Sequence, residues 1–108
     1  MDKMLQELWR GTIILAVLSQ LREERYGYSL RERLSGMGFE VQEGTLYPLL
    51  RRLEERELIV SRWEVSETRP RRYYHLSPKG EKALGELINE WSTVVGVIDR
   101  LTKDSEVQ

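Results

Sequence analysis

Arginine side chains are the most chemically distinctive residues of this sequence, because seven of them crowd between positions 51 and 72. A guanidinium group is a planar, permanently charged donor that pairs with phosphate oxygens and with the exposed edge of guanine. The net charge of the chain is only −1, and glutamates are interspersed among these arginines, so only folding can separate the two signs. The pattern predicts a locally basic surface for an anionic partner. The arginines are Arg51, Arg52, Arg56, Arg62, Arg69, Arg71 and Arg72.

Residue types needed for other kinds of chemistry are scarce. The sequence has no cysteine, which excludes disulfides, thiolate zinc sites and cysteine nucleophiles. The single histidine, His75, cannot form a multi-histidine metal site within one chain, and we interpret it as structural. No nucleophile–base pair or phosphate-binding glycine loop is visible. We therefore expect no enzyme activity, no catalytic residue, no metal and no cofactor.

The first half of the stretch from Val41 to Leu76 predicts an amphipathic helix that presents arginines to a partner. Its apolar residues Leu46, Leu49, Leu50 and Leu53 recur at i, i+3, i+4 and i+7 and form one stripe. Hydroxyl groups on the other faces suit phosphate oxygens, and guanidinium groups suit guanine edges in the major groove. Which arginine reads a base is left open, and an ordinary solvated face is the alternative. The candidate DNA contacts on these faces are Gly44, Thr45, Tyr47, Pro48, Arg51 and Arg52.

Two strands joined by a basic turn are predicted after this helix. Leu58-Ile-Val60, Trp63 and Val65 are apolar with polar residues between them, which suits a strand, and Tyr73 to Leu76 suits its antiparallel partner. The two adjacent tyrosines of the second strand should point to opposite faces, one of them into the core. The turn carries Arg69, Arg71 and Arg72, which we expect to contact the DNA backbone unless they serve only solubility. A helix with a basic face and a hairpin with a basic tip together form the DNA-binding surface of a winged helix.

Two more helices are predicted before the arginine-bearing one. The first is expected from Met4 to Leu21 with Gly11 as its weak point, and its centre is apolar on every side. After a charged break at residues 22–25, a short helix is expected from Leu30 to Leu34, with a stop at Gly36-Met-Gly38. The residues at the start of this short helix complete the candidate DNA contacts: Tyr28 and Ser29.

A long final helix is predicted from Ser77 onward. Ser77 as N-cap with Pro78 at the first helical position is a strong start signal. Apolar residues then alternate by three and four in a heptad pattern, which requires a partner along the helix. We expect a homodimer built from this helix and the first one, so that residues 1–76 form the DNA-binding domain and residues 77–108 the dimerisation helix. The predicted interface residues are Leu84, Leu87, Ile88, Trp91, Val94, Val95, Ile98 and Leu101.

Four motifs occur in an order that matches a known family: Tyr26-Gly-Tyr28, Gly44-Thr-Leu-Tyr-Pro-Leu-Leu-Arg-Arg-Leu-Glu54, Arg72-Tyr-Tyr74 and Leu76-Ser-Pro-Lys-Gly80. The chain resembles the PadR family of bacterial and archaeal transcriptional regulators, specifically its short members with a single C-terminal helix. The resemblance implies a mainly α fold with a small β-hairpin, in which two winged helix-turn-helix domains bind a pseudopalindromic operator as a homodimer. One departure is Gln42, where relatives usually have a capping serine or asparagine. We expect the third helix to start there or at Glu43.

The resemblance also implies an effector site. Many relatives are repressors that small hydrophobic or aromatic effectors release from DNA. In short members an aromatic residue on the last helix lines a cavity at the dimer centre, and Trp91 stands at that position. The alternatives for Trp91 and Trp9 are plain interface packing or an aromatic clamp around a flat ligand. Neighbouring residues of such a clamp on the first helix are Leu5, Leu8 and Thr12.

The sequence predicts a cytoplasmic protein without a membrane segment. Its longest apolar run, Ile13 to Leu18, is too short to span a bilayer, and no signal-peptide pattern is visible. The function we expect is that of a dimeric transcriptional repressor that binds double-stranded DNA sequence-specifically. Two alternatives stay open, namely a ligand-binding sensor and a winged-helix module that contacts proteins without an operator of its own.

Overall fold

A computed structural model describes residues 2–65 and 68–107, which form five helices and three strands. The strands form one antiparallel sheet in the order β1-β3-β2, which confirms a mainly α winged helix-turn-helix with a small sheet. Met1, Ser66, Glu67 and Gln108, which belong to the predicted domains and hairpin turn, lie outside the described residues. The elements are α1 (Lys3–Arg10), α2 (Ile13–Ser19), β1 (Arg25–Tyr26), α3 (Gly27–Gly36), α4 (Glu43–Glu55), β2 (Ile59–Glu64), β3 (Arg71–Leu76) and α5 (Pro78–Val107).

The amino-terminal segment forms two helices, so the prediction of one helix from Met4 to Leu21 is wrong. The break lies at Gly11 and Thr12. There the backbone N–H of Thr12 donates to the Trp9 carbonyl oxygen at 3.0 Å, and the Thr12 hydroxyl donates to the same oxygen at 2.8 Å. A threonine hydroxyl that bonds to the nearby backbone competes with helix continuation, and glycine adds little resistance to the bend.

The segment before α3 also differs from the prediction, because part of the expected charged break is a strand. Arg25 pairs with Tyr74 and Tyr26 pairs with Tyr73, so β1 adds a third strand beside the hairpin. Helix α3 then begins at Gly27, almost one turn before the predicted start at Leu30. A strand of two residues is too short to show an alternating pattern in the sequence.

The predicted end of α3 and the predicted start of α4 are both confirmed. Helix α3 ends in a turn in which Gly38 has a φ of 98° and the N–H of Phe39 donates to the Leu34 carbonyl oxygen at 2.8 Å. Helix α4 begins at Glu43 after Gln42, whose side chain makes no capping hydrogen bond. Pro48 therefore lies just past the first turn. The predicted apolar stripe is buried as expected: Leu46, Leu49, Leu50 and Leu53.

The β2–β3 hairpin, hereafter the wing, is antiparallel as predicted. Pairing runs from Ile59 opposite Leu76 at its base to Glu64 opposite Arg71 near its tip. Tyr74 is buried on the face towards the helices, whereas Tyr73 is half-buried on the opposite face, which confirms that the two tyrosines diverge.

Helix α5 starts as predicted and joins the core of the domain. The Ser77 hydroxyl accepts from the Gly80 N–H at 2.9 Å and donates to the Glu57 carbonyl oxygen at 2.6 Å. Leu84 is fully buried in the same cluster as α2 and α4, so its assignment to the dimer interface is wrong, because it has no area left to bury against a second chain. The division after residue 76 stays a prediction, and packing is continuous across it. No helix of the described residues has an apolar stretch long enough to cross a bilayer.

Candidate nucleic-acid interface

The outer face of α4 presents the predicted polar and basic residues to solvent. Gly44, Thr45, Arg51 and Arg52 are exposed, and Pro48 is half-buried beside them. Within the part of the chain that the structure describes, the guanidinium groups of Arg51 and Arg52 form no hydrogen bond or ion pair. Unengaged guanidinium groups on an exposed helix are available for phosphate oxygens or base edges.

Tyr47 is held against the start of α3. A β-carbon placed on Gly27 would lie 2.6 Å from Cε1 and 2.7 Å from the hydroxyl oxygen of Tyr47, so only glycine leaves room for this ring. Tyr47 nevertheless keeps 37% of its surface exposed. The Tyr-Gly-Tyr motif and the α4 motif therefore meet at this contact, which fixes the direction of the phenol. Sequence reasoning did not identify Gly27, although its place between two tyrosines was a signal.

Tyr28 and Ser29 lie on the first turn of α3. Tyr28 is half exposed, and its hydrogen bond with Glu32 raises the pKa of the phenol, with the negative charge of Glu32 acting in the same direction. The phenol therefore stays protonated at neutral pH and keeps its capacity as a hydrogen-bond donor. Ser29 is half-buried, so it presents less surface to a partner than Tyr28.

A cleft of about 770 Å³ lies between the helices and the wing. Its lining combines aromatic rings with three arginines and contains no carboxylate among the described residues. Because both Tyr47 of α4 and the wing arginines line it, the two predicted DNA-binding elements face the same space. The lining residues are Tyr26, Gly27, Tyr28, Tyr47, Trp63, Arg69, Pro70, Arg71, Arg72 and Tyr74.

The three arginines of the wing occupy different environments. Arg69 is exposed and forms no ion pair within the described residues. Arg71 is half-buried with its guanidinium carbon 4.7 Å from the centroid of the Tyr26 ring, a cation–π contact that holds it near β1. Arg69 is thus the wing arginine with the greatest access to a partner.

Arg72 points inward rather than out from the tip. Its Nε donates to the Ser61 hydroxyl oxygen at 3.0 Å, and its Nη2 donates to Oε1 of Glu54 at 3.0 Å. The Ser61 hydroxyl in turn donates to Oε2 of Glu54 at 2.5 Å. The guanidinium group also lies 5.6 Å from the Trp63 ring and 5.8 Å from the Tyr74 ring. Sequence reasoning grouped Arg72 with the tip arginines and missed its acidic partner.

Arg62 is engaged on the opposite face of the sheet. Its Nε and Nη2 donate to the two carboxylate oxygens of Glu24 at 2.8 and 2.7 Å, and its guanidinium carbon lies 4.9 Å from the Tyr73 ring. The hydrogen bond from Arg62 is the main reason that the pKa of Glu24 is lowered. Tyr73 also contacts the Tyr26 ring edge-on at 5.6 Å. These contacts tie the wing to the segment before β1.

Tyr74 is buried, and the pKa of its phenol depends on burial and on nearby charges. Burial raises the pKa of its phenol, and the charge of Arg72 opposes that shift. Glu54, Tyr47 and Arg51 of α4 make smaller contributions to this pKa. The phenol of Tyr74 is therefore neutral.

Helices α1 and α5 each carry exposed apolar side chains. Trp9 and Trp91 are each nearly half exposed, with 46% and 45% of their surface accessible. Within one chain Trp9 packs edge-on against Phe39 at 5.3 Å, and no ring contact between Trp9 and Trp91 occurs among the described residues. Thr12 lies at the helix break rather than on α1. The other large apolar residues of α1 and α5 that are exposed are Met4, Leu5, Leu8, Ile88, Val94, Val95, Val97, Ile98 and Leu101.

Comparison with known proteins connects this arrangement to a family. Residues 14–86 match the model of the Transcriptional regulator PadR-like family. The structure resembles that of a PadR family transcriptional regulator from Eggerthella lenta, with a TM-score of 0.87 and 41% identity over 91% of this chain and 88% of the other. The transcriptional regulator Rv3488 of Mycobacterium tuberculosis is 40% identical over 83 residues, which cover 76% of this chain and 78% of that protein.

A more distant likeness concerns the fold alone. Bacillus subtilis PadR, whose structure was solved in complex with operator DNA, has a TM-score of 0.66 and 23% identity over 71% of this chain and 45% of its own. The family match extends from α2 into α5 and so includes the helices and strands that surround the cleft.

Proposed function

Since the chain belongs to the PadR-like family of transcriptional regulators, we propose that it is a sequence-specific DNA-binding repressor that acts as a homodimer. The observation that carries the proposal is the cleft shared by α4 and the wing, which is lined by three arginines and no carboxylate of the described residues. A basic concave surface between a helix and a hairpin suits a polyanion that both elements contact at once.

Helix α4 enters the major groove in this proposal. An α-helix with its side chains is about 10–12 Å across, and the major groove of B-DNA is about 12 Å wide. Thr45 and Tyr47 donate hydroxyl hydrogen bonds to phosphate oxygens, and Tyr28 at the start of α3 adds a third hydroxyl. Arg51 and Arg52, exposed and unengaged within the described residues, reach guanine edges.

The wing contacts the adjacent backbone in this proposal. Arg69 is its main phosphate contact because it is exposed, whereas Arg71 is partly held by Tyr26. Phosphate contacts of this kind orient a protein on the duplex without reading its sequence. The wing therefore contributes affinity, and α4 contributes specificity.

Homodimerisation is proposed along the exposed apolar surface of α1 and α5. Helix α5 has 30 residues, which corresponds to a length of about 45 Å. Trp91, Val94 and Ile98 recur along it by three and four and remain largely exposed in one chain. An exposed apolar stripe along a helix of this length suits a protein interface. A two-fold dimer then places the two α4 helices roughly 34 Å apart, one turn of the duplex.

Release from DNA by a small aromatic or hydrophobic effector completes the proposal. Trp91 and Trp9 support it, since both present exposed indole surface on helices that are proposed to face the second subunit. A flat ligand between such rings gains stacking and apolar burial. This capture would act on DNA binding through the relative placement of the two winged helices.

Selection of bound duplexes from a random pool tests the proposal. We expect a palindromic sequence with half-sites separated by about 10 base pairs. If each subunit neutralises three to five phosphates, the plot of log K against log salt should have a slope of roughly −5 to −9. A pool that stays random would exclude a sequence-specific repressor. It would favour a winged-helix module that contacts proteins, which gel shifts with the protein's own upstream region would check independently.

A further inference from the structure

One ion-pair network joins the wing to α4 beside the cleft. Arg72 of β3 donates to Glu54 of α4 at 3.0 Å and to Ser61 of β2 at 3.0 Å, and Ser61 donates to the same carboxylate at 2.5 Å. We propose that this network sets the angle between the wing and α4, so that Arg72 is a positioning residue for DNA binding and not a phosphate contact. The inference rests on the proposed function as a DNA-binding protein.

Two of the three guanidinium nitrogen atoms of Arg72 are already engaged. Nε and Nη2 both have hydrogen-bond partners, and the guanidinium carbon lies 5.6 and 5.8 Å from the Trp63 and Tyr74 rings. To turn this pair of donors towards a phosphate, the side chain would have to leave Glu54 and Ser61. The loss would leave the half-buried Glu54 carboxylate without its cationic partner. Arg51, Arg52 and Arg69 have no hydrogen bond or ion pair to leave among the residues that the structure describes.

The position of Arg72 along the strand gives it leverage over the wing. The base of the wing is fixed by the buried residues Ile59 and Leu76, which pair with each other. Arg72 pairs with Trp63 and lies four residues from Leu76 towards the tip of the wing. This corresponds to about 13 Å from the base. A tether at that distance restrains rotation of the hairpin more effectively than contacts at its base do. On the opposite face of the sheet, the bidentate Arg62–Glu24 pair restrains rotation of the hairpin in the opposite direction.

The direction in which Glu54→Gln changes DNA affinity distinguishes a positioning role from a purely electrostatic one. Glu54 is a carboxylate beside a cleft proposed to hold DNA, and it repels phosphates. If only charge mattered, removing it would strengthen binding to every duplex. If the network positions the wing, Glu54→Gln weakens binding in spite of the more favourable charge.

The test compares Glu54→Gln, Arg72→Gln and the double variant in fluorescence anisotropy titrations with the selected operator over a range of salt. We expect each single variant to lose about tenfold in affinity, a size typical of a charge-assisted hydrogen bond. The double variant should lose no more than either single one, because the two side chains act as a unit. The salt slope should stay that of the unmodified protein. Arg72→Lys should also weaken binding, since an ammonium group keeps the charge but cannot bridge Glu54 and Ser61 as a planar fork does.

Glu55→Gln is the matched control. Glu55 is the neighbouring carboxylate on α4, exposed and without an ion pair among the described residues, so its removal should leave operator affinity unchanged or slightly increased. Far-ultraviolet circular dichroism at the titration temperature establishes that each variant is folded.

Two outcomes would overturn the inference while leaving the proposed function intact. One is tighter or unchanged operator binding by Glu54→Gln. The other is a salt slope that Arg72→Gln makes shallower by roughly two in the dimer, as the loss of one phosphate contact per subunit requires. If the unmodified protein binds no duplex at all, the proposed function fails, and the inference fails with it.

Discussion

The ring of Tyr47 lies so close to Gly27 that a β-carbon on residue 27 would stand 2.6 Å from Cε1 of the tyrosine. The contact joins the start of α3 to the exposed face of α4 and holds a phenol at the edge of the basic cleft. Gly27 is required here for space, since its backbone is not in the left-handed region that usually selects glycine. Two sequence motifs separated by twenty positions thus form one structural unit.

Gly27→Ala should weaken operator binding by displacing this ring. Overpacking of a tight contact costs about 1–3 kcal/mol, and the shifted Tyr47 loses its proposed phosphate contact, so we expect a loss in affinity of about tenfold or more. Gly36→Ala is the control, because a β-carbon there meets nothing within 4 Å. Titration of both variants with labelled operator, together with thermal unfolding, checks the prediction. Equal affinities for the two variants would contradict it.

Arg51→Ala and Arg69→Ala should have different effects on specificity. Loss of a guanidinium group that reads guanine weakens operator binding about tenfold to a hundredfold and relaxes preference at one base pair. Loss of a phosphate contact at the wing weakens operator and random duplex by the same factor and makes the salt slope shallower. Competition titrations with both duplexes measure these ratios. Identical ratios for the two variants would remove the assigned roles.

Ile98→Asp should convert the protein to a monomer. Ile98 is 52% exposed in one chain and lies on the heptad stripe of α5, so a carboxylate there would be buried without a partner at the proposed interface. We expect half the mass in light scattering and a large loss of operator affinity, because binding of two linked half-sites becomes binding of one. Asn89→Asp adds the same charge off the stripe and should remain dimeric. A dimer of unchanged stability in Ile98→Asp would place the interface elsewhere.

Ser77→Ala should lower the free energy of unfolding by about 2 kcal/mol, since it removes an N-cap and leaves a carbonyl oxygen without its donor. The Ser77 hydroxyl is the shared partner of the Gly80 N–H and the Glu57 carbonyl oxygen. Thr93→Ala, which removes a hydroxyl in the exposed middle of α5, should change stability by less than about 0.5 kcal/mol. Urea unfolding of both variants gives the comparison, and equal midpoints would refute the structural role of Ser77.

Planar aromatic compounds should change the fluorescence of Trp91 if the effector site is where we propose it. The spectrum of the protein contains Trp9 and Trp63 as well, so Trp91→Phe serves as the subtraction control. We expect quenching in the unmodified protein, a smaller effect in Trp91→Phe, and a parallel loss of operator binding as the compound is added. Quenching that persists unchanged in Trp91→Phe would move the ligand away from this residue.

Much of the fold follows from local sequence patterns. The leucine stripe of α4 is buried as its spacing predicted, because one face of an amphipathic helix must be covered whatever surrounds it. The Ser77-Pro78 start of α5 is equally local, since the cap depends on a hydroxyl and a backbone N–H three residues apart. The exposed basic face of α4 follows from the same periodicity.

Other features were decided by tertiary packing. Arg72 and Arg69 have the same side chain and lie in one short segment, yet only Arg72 meets Glu54, a residue 18 positions away. Leu84 follows the heptad spacing of α5, but the core of its own domain covers it. Arg25 and Tyr26 form a strand only because β3 offers them an edge. Spacing along the chain therefore determined which face each helix buries, whereas which side chains meet across elements depended on where the folded chain placed them.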